Sequence, residues 1–100
     1  MANYSNHVRE HLRLTLLRLL ANEGGGYSAN ESVLADAVNR FGFSVARDSV
    51  RAELAWLAEQ GLVRTEDVAG LAVATITRRG LDAAAGRAQV PGVKRPGPPD

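Results

Sequence analysis

Residues 46–63 read ARDSVRAELAWLAEQGLV. Val50, Leu54, Leu57 and Ala58 recur at the three-and-four spacing of a helix with one face in a core. Gly61 supplies the stop. Leu62-Val63 then opens a β-rich run, LVRTEDV (62–68), which a tight Ala69-Gly70 turn joins to a second, LAVATIT (71–77). Two such runs around a two-residue turn predict a hairpin.

Working outward, SNHVREHLRLTLLRLLAN (5–22) predicts a first helix capped by Ser5. Val8, Leu12, Thr15, Leu16, Leu19 and Leu20 share one face, and Leu14, Leu17 and Ala21 lie roughly opposite. A helix apolar on two sides is either sandwiched within its domain or shared with a partner. The Gly24-Gly25-Gly26 triplet ends it. Ser28 and Glu31 then have the spacing of a capping box. They open a second helix whose apolar face is Leu34, Ala37, Val38 and Phe41, and Tyr27-Ser28 leave room for a residue or two of strand. Thr77 can cap a short last helix over 78–87. The remainder, QVPGVKRPGPPD (89–100), holds four prolines and two glycines and is expected to be a disordered tail.

The predicted order is helix, short strand, helix, helix, hairpin, helix. With DSVRAELAWLAEQGLV and the closing ITRRG, it resembles the bacterial winged helix-turn-helix regulators of MarR, ArsR and PadR type. The residues that carry the likeness are Leu54, Leu57, Gly61, Leu62 and Val63, then Ile76, Thr77 and Gly80. More loosely, the chain looks like the short ArsR-type regulators of Mu-like prophages. The resemblance spans residues 5–88. It implies an α+β fold with a three-helix core, a hairpin wing and a short C-terminal helix, forming one domain over 1–88. It also implies that double-stranded DNA is the partner, with helix 46–60 in the major groove, and a homodimer, since such readers bind paired half-sites. Carried over by position, the residues facing DNA are Arg47, Asp48, Ser49, Arg51 and Ala52. Arg47, Ser49 and Arg51 are the expected base or phosphate contacts, with Arg64, Arg78 and Arg79 as a second cationic patch.

The charges argue partly against this. Residues 1–43 carry four Arg and four carboxylates, residues 44–80 five of each, and the net charge is +1. No segment is basic as a whole, unlike most nucleic-acid binders. Asp48 and Glu59 lie on the face of the third helix opposite Val50, and Glu66-Asp67 sit near the hairpin tip. These carboxylates keep open an adaptor or phage assembly component that binds protein instead. Trp56, off the core face, is then either a partner anchor or a ring packed under the hairpin or tail. Leu14, Leu17 and Ala21 are either covered by the last helix or form a dimer seam.

Other chemistries find little support. The chain has no cysteine and therefore no disulfide or thiolate metal site, which suits a cytoplasmic location. No apolar run nears the about 20 residues of a membrane span. His7-Val8-Arg9-Glu10-His11 matches a zinc-protease pattern, but a third ligand and a cleft are wanting. The glycine triplet lacks the Lys and Ser/Thr of a phosphate loop. Both histidines lie on the first helix, so no catalytic triad is suggested. Lys94-Arg95 can touch phosphate weakly, and Pro96-x-x-Pro99 is a minimal proline-rich ligand pattern. The expectation is a non-enzyme without cofactor or metal.

Overall fold

A computed structural model describes residues 4–22 and 28–97. It contains four helices and a three-stranded antiparallel sheet: α1 (Tyr4–Ala21), β1 (Ser28–Asn30), α2 (Glu31–Arg40), α3 (Arg47–Glu59), β2 (Val63–Val68), β3 (Leu71–Ile76) and α4 (Arg78–Ala85). The sheet order is β1-β3-β2, so β3 is central and β2 is an edge. Ser28 pairs with Thr75, and Val63 through Val68 pair with Ile76 through Leu71.

The core is aliphatic. Val50, Leu54 and Leu57 of α3 are fully buried against Leu16, Leu17 and Leu20 of α1 and Leu34 and Val38 of α2, with Leu62, Val63, Ala74 and Ile76 closing the sheet side. The hairpin turn places Ala69 at φ 53° and Gly70 at φ 83°. Both central residues are left-handed, which matches the twist of the two strands. Asp67 Oδ1 accepts the Gly70 N–H at 2.9 Å and braces the turn. Thr77 caps α4 as expected, accepting the Gly80 N–H. Its hydroxyl also donates to the Gly61 carbonyl at 2.7 Å, tying the start of α4 to the end of α3.

Three expectations are corrected. First, Ser28 and Glu31 form no capping box. Ser28 lies in β1, and Asn30 caps α2 by accepting the Val33 N–H at 2.9 Å. Glu31 is thereby the first helical residue. It shares the i, i+3, i+4, i+7 face of Leu34, Ala35 and Val38 and is 0% exposed.

Second, Phe41 is 67% exposed rather than on the core face. The helix ends at Arg40, and the Phe41 N–H bonds to Val38 O in a tightened last turn that swings the ring outward. Phe43 packs on the core instead, edge-to-face with His11.

Third, the proline-rich segment packs over residues 89–97. Val90 is 3% exposed in the core, Val93 packs beside it, and the Lys94 N–H donates to Glu10 O at 3.1 Å. Only a few apolar residues are needed to hold so short a segment when a cation and an aromatic ring meet it.

That segment also settles the second apolar side of α1. Leu14 and Leu17 are 1% and 0% exposed within the single chain, and Ala21 is half-buried against the core. α4 packs along α1, and the tail crosses its N-terminal half. These residues therefore do not form an open partner seam.

Candidate nucleic-acid interface

Helix α3 begins at Arg47 with Ala46 in the cap position, so no side chain caps its first turn, whereas Asn30 and Thr77 cap α2 and α4. The free N–H groups of this first turn carry the positive end of the helix dipole. Arg47, Asp48, Ser49, Arg51 and Ala52 are all exposed around it. Ala55 and Glu59 continue the same outward face.

The two arginines are not free. Arg47 Nε lies 3.4 Å from Glu31 Oε2, and Arg51 Nη1 lies 3.6 Å from Glu31 Oε1. Arg51 also reaches across to the hairpin, where Nη2 meets Asp67 Oδ2 at 3.4 Å and Nη1 donates to Gly70 O at 3.3 Å. Glu31 Oε1 is anchored in turn by the Ala72 N–H at 2.6 Å, while Oε2 has no hydrogen bond. A fully buried carboxylate thus draws two half-exposed guanidiniums to the N-terminal turn of α3 and joins α2, α3 and the hairpin. The sequence reading misses this role of Glu31.

Arg79 is likewise tethered, its Nε donating to Gln60 O at 3.1 Å at the C-terminal end of α3. Arg64 projects from β2 on the same sheet face as Thr75 and Ser28. Among the described residues, neither Arg64 nor Arg78 has an ion-pair partner. The six expected DNA contacts therefore divide. Arg47, Ser49 and Arg51 cluster at the start of α3, Arg64 stands on the sheet, and Arg78 and Arg79 open α4, with Arg79 tied to the far end of α3.

Trp56 is not an open anchor. The Arg13 guanidinium carbon sits 3.8 Å from its ring centroid. Arg13 Nε pairs with Glu53 Oε1 at 2.7 Å, and Nη1 donates to Gly92 O at 2.9 Å. Arg9 adds a second cation to Glu53 at 3.4 Å. Ring, cation and carboxylate form a clamp that holds the tail.

A groove of about 700 Å³ lies between α1 and the α2–α3 turn, lined by Val8, Leu19, Phe41, Phe43 and Val45 with Arg18 among its polar groups. Among the described residues, no three His, Cys, Asp or Glu come together as a metal site, and no helix is long and apolar enough to cross a membrane.

No family model matches the chain, and no solved structure matches it significantly. Two curated relatives do. An uncharacterized protein of Haemophilus influenzae is 40% identical over 80 residues, covering 79% of this chain and 76% of its own length. The protein gp26 of Escherichia phage Mu, also described as uncharacterized, is 49% identical over 91 residues, covering 91% of this chain and 93% of its own. At that identity and near-complete mutual coverage, the chain belongs to the family of the phage Mu protein gp26.

Proposed function

We infer that the fold is a winged helix-turn-helix and that the chain is a small DNA-binding transcriptional regulator that lays α3 in the major groove. The observation that carries this reading is the outward N-terminal turn of α3, which presents Arg47, Ser49 and Arg51 beside uncapped N–H groups. The order helix, strand, helix, helix, hairpin with a β1-β3-β2 sheet supports it. In such folds the third helix reads bases and the hairpin touches the backbone. Free N–H groups at a helix start donate to phosphate oxygens. Arg47 or Arg51 can then leave Glu31 for a phosphate or for guanine, which takes a guanidinium in bidentate fashion. Arg78 is a further phosphate contact.

A second reading, a winged helix used for protein contact in an adaptor or phage assembly component, is favoured by one specific observation. Glu31 and Asp67 already satisfy much of the charge on Arg47 and Arg51. Asp48 and Glu59 are exposed on the same helix.

Titration of mixed-sequence duplex DNA by fluorescence anisotropy separates the two. A DNA reader binds at about 50 mM salt and weakens steeply as salt rises, because each neutralised phosphate releases counterion. Lack of binding at that salt removes the regulator reading and leaves the adaptor.

A further inference from the structure

The free edge of β2 has a register of its own. The Thr77 N–H donates to Leu62 O at 3.1 Å, so Leu62 and Thr77 form a hydrogen-bonded pair that extends the β2–β3 ladder. Pair types alternate along an antiparallel ladder. Arg64, Glu66 and Val68 therefore direct their backbone groups to β3, and Val63, Thr65 and Asp67 direct theirs to the open edge. From Arg64 to Val68 every residue of the strand is exposed.

Thr65 and Asp67 thus leave unpaired backbone groups on an exposed edge, next to the buried Val63, and such an edge invites a further strand. We propose that its occupant is β2 of a second copy, paired antiparallel about a two-fold axis through Thr65. Side-chain alternation requires that residues facing the same side of the sheet pair with each other. Only three registers satisfy this while keeping the middle of the strand paired. Centring on Arg64 opposes two arginines, and centring on Glu66 opposes two glutamates. Centring on Thr65 places Arg64 opposite Glu66 of the partner subunit, twice by symmetry, in the closely spaced non-hydrogen-bonded positions. The outward backbone groups of Thr65 then meet those of Thr65 of the partner subunit, and Asp67 runs toward the Val63 end of the partner strand. Among the described residues, neither Arg64 nor Glu66 has a side-chain hydrogen bond or ion pair, so both are available. The product is a continuous six-stranded sheet. This role takes Arg64 out of the phosphate-contact set, and it does not depend on what α3 binds.

Charge reversal tests the register. In sedimentation equilibrium the unaltered chain dimerises. Arg64→Glu and Glu66→Arg, each of which creates two like-charge pairs, weaken the dimer about tenfold or more. The double reversal, Arg64→Glu with Glu66→Arg, restores it. Hydrogen exchange gives a second readout, with the Thr65 and Asp67 amides protected in a concentration-dependent way and those of Arg64 and Glu66 not. A chain that stays monomeric at millimolar concentration overturns the proposal. So does a dimer that ignores both single reversals, or one that the double reversal fails to rescue while circular dichroism shows the fold intact.

Discussion

Glu31 accepts the Ala72 N–H through Oε1 at 2.6 Å, joining the first residue of α2 to the second residue of β3. The carboxylate is wholly buried, yet the cations that balance it, Arg47 and Arg51, are 55% and 48% exposed. Removing Glu31 therefore leaves no buried charge behind, because both guanidiniums can turn to water. It does leave an unpaired N–H. Glu31→Ala is expected to cost about 2 kcal/mol, the desolvation of that donor together with lost packing. Glu31→Gln keeps an acceptor for Ala72 and should cost about 1 kcal/mol. Urea denaturation of the two variants checks the order, and equal costs would show that the Ala72 bond contributes little.

Gly80 explains why the end of the hairpin reads Ile-Thr-x-x-Gly. A Cβ there would press on the Leu62 carbonyl and come within 2.7 Å of Ile76 Cγ1. Neither neighbour is the free end of a flexible chain. α4 can reach the hairpin only if this position lacks a side chain. Gly80→Ala is expected to cost about 3 kcal/mol through overpacking, read as a fall in the urea midpoint with little change in slope. A loss below about 1 kcal/mol would mean that α4 shifts easily.

The architecture was legible in the sequence because its signals are local and periodic. Val50, Leu54 and Leu57 mark the buried face of α3, Ala69-Gly70 marks the turn, and Thr77 marks the cap, and each is where the pattern puts it. The misreadings arise where two local rules compete. Ser28 and Asn30 are both good caps, and β-pairing of Ser28 with Thr75, invisible locally, decides for Asn30. Once Asn30 is the cap, the spacing of Glu31, Leu34, Ala35 and Val38 places Glu31 inward. The candidate interface was legible as exposed residue types but not as a network, because the contacts of Arg51 with Asp67 and Gly70 span 16 and 19 residues. The order of the tail is not legible in its composition, which argues against order on average, because it depends on the particular partners that Val90 and Gly92 meet in the core and on α1 and α3.

Ala69 is the one non-glycine residue with positive φ among the described residues, at 53°. Alanine in that conformation is less stable than asparagine or glycine, and the two-residue turn favours Asn-Gly. Ala69→Asn should stabilise the fold by about 0.5–1 kcal/mol without altering any core contact. A raised thermal midpoint is the expected result. An unchanged or lowered midpoint would show that the turn relaxes freely in the parent chain.

The sole tryptophan reports on the tail. Gly92 packs against the edge atoms Cη2 and Cζ2 of Trp56, so closely that a Cβ would sit 2.7 Å from them, and Arg13 covers that ring with its guanidinium. Truncation after Gln89 removes Val90, worth about 2 kcal/mol of burial, and frees the ring from Gly92. The emission of Trp56 should then move to longer wavelength and acrylamide quenching should rise. Arg13→Ala should release the tail in part, since it removes both the stacked cation and the donor to Gly92 O. An unaltered spectrum after truncation would show that the ring is covered by something else.

Glu31 pairs with Arg47 and Arg51, and Asp67 pairs with Arg51, so on the DNA-binding reading proposed above these carboxylates compete with the duplex for the two guanidiniums. If α3 reads DNA, then removing a competing carboxylate should strengthen binding even as it weakens the fold. Glu31→Gln and Asp67→Asn each free a cation and delete a repelling charge, and each should tighten duplex binding by about fivefold at low salt, on the order of 1 kcal/mol. Arg51→Ala should weaken it by at least as much, and the Arg47→Ala, Arg51→Ala pair should remove most of the measurable affinity. The opposed signs matter. A merely destabilising change lowers binding in every variant, whereas relief of competition raises it in two and lowers it in the others. Anisotropy titrations well below each variant's unfolding temperature read this directly, and a drop in affinity for Glu31→Gln would mean that the buried carboxylate positions Arg47 and Arg51 for the duplex instead of withholding them.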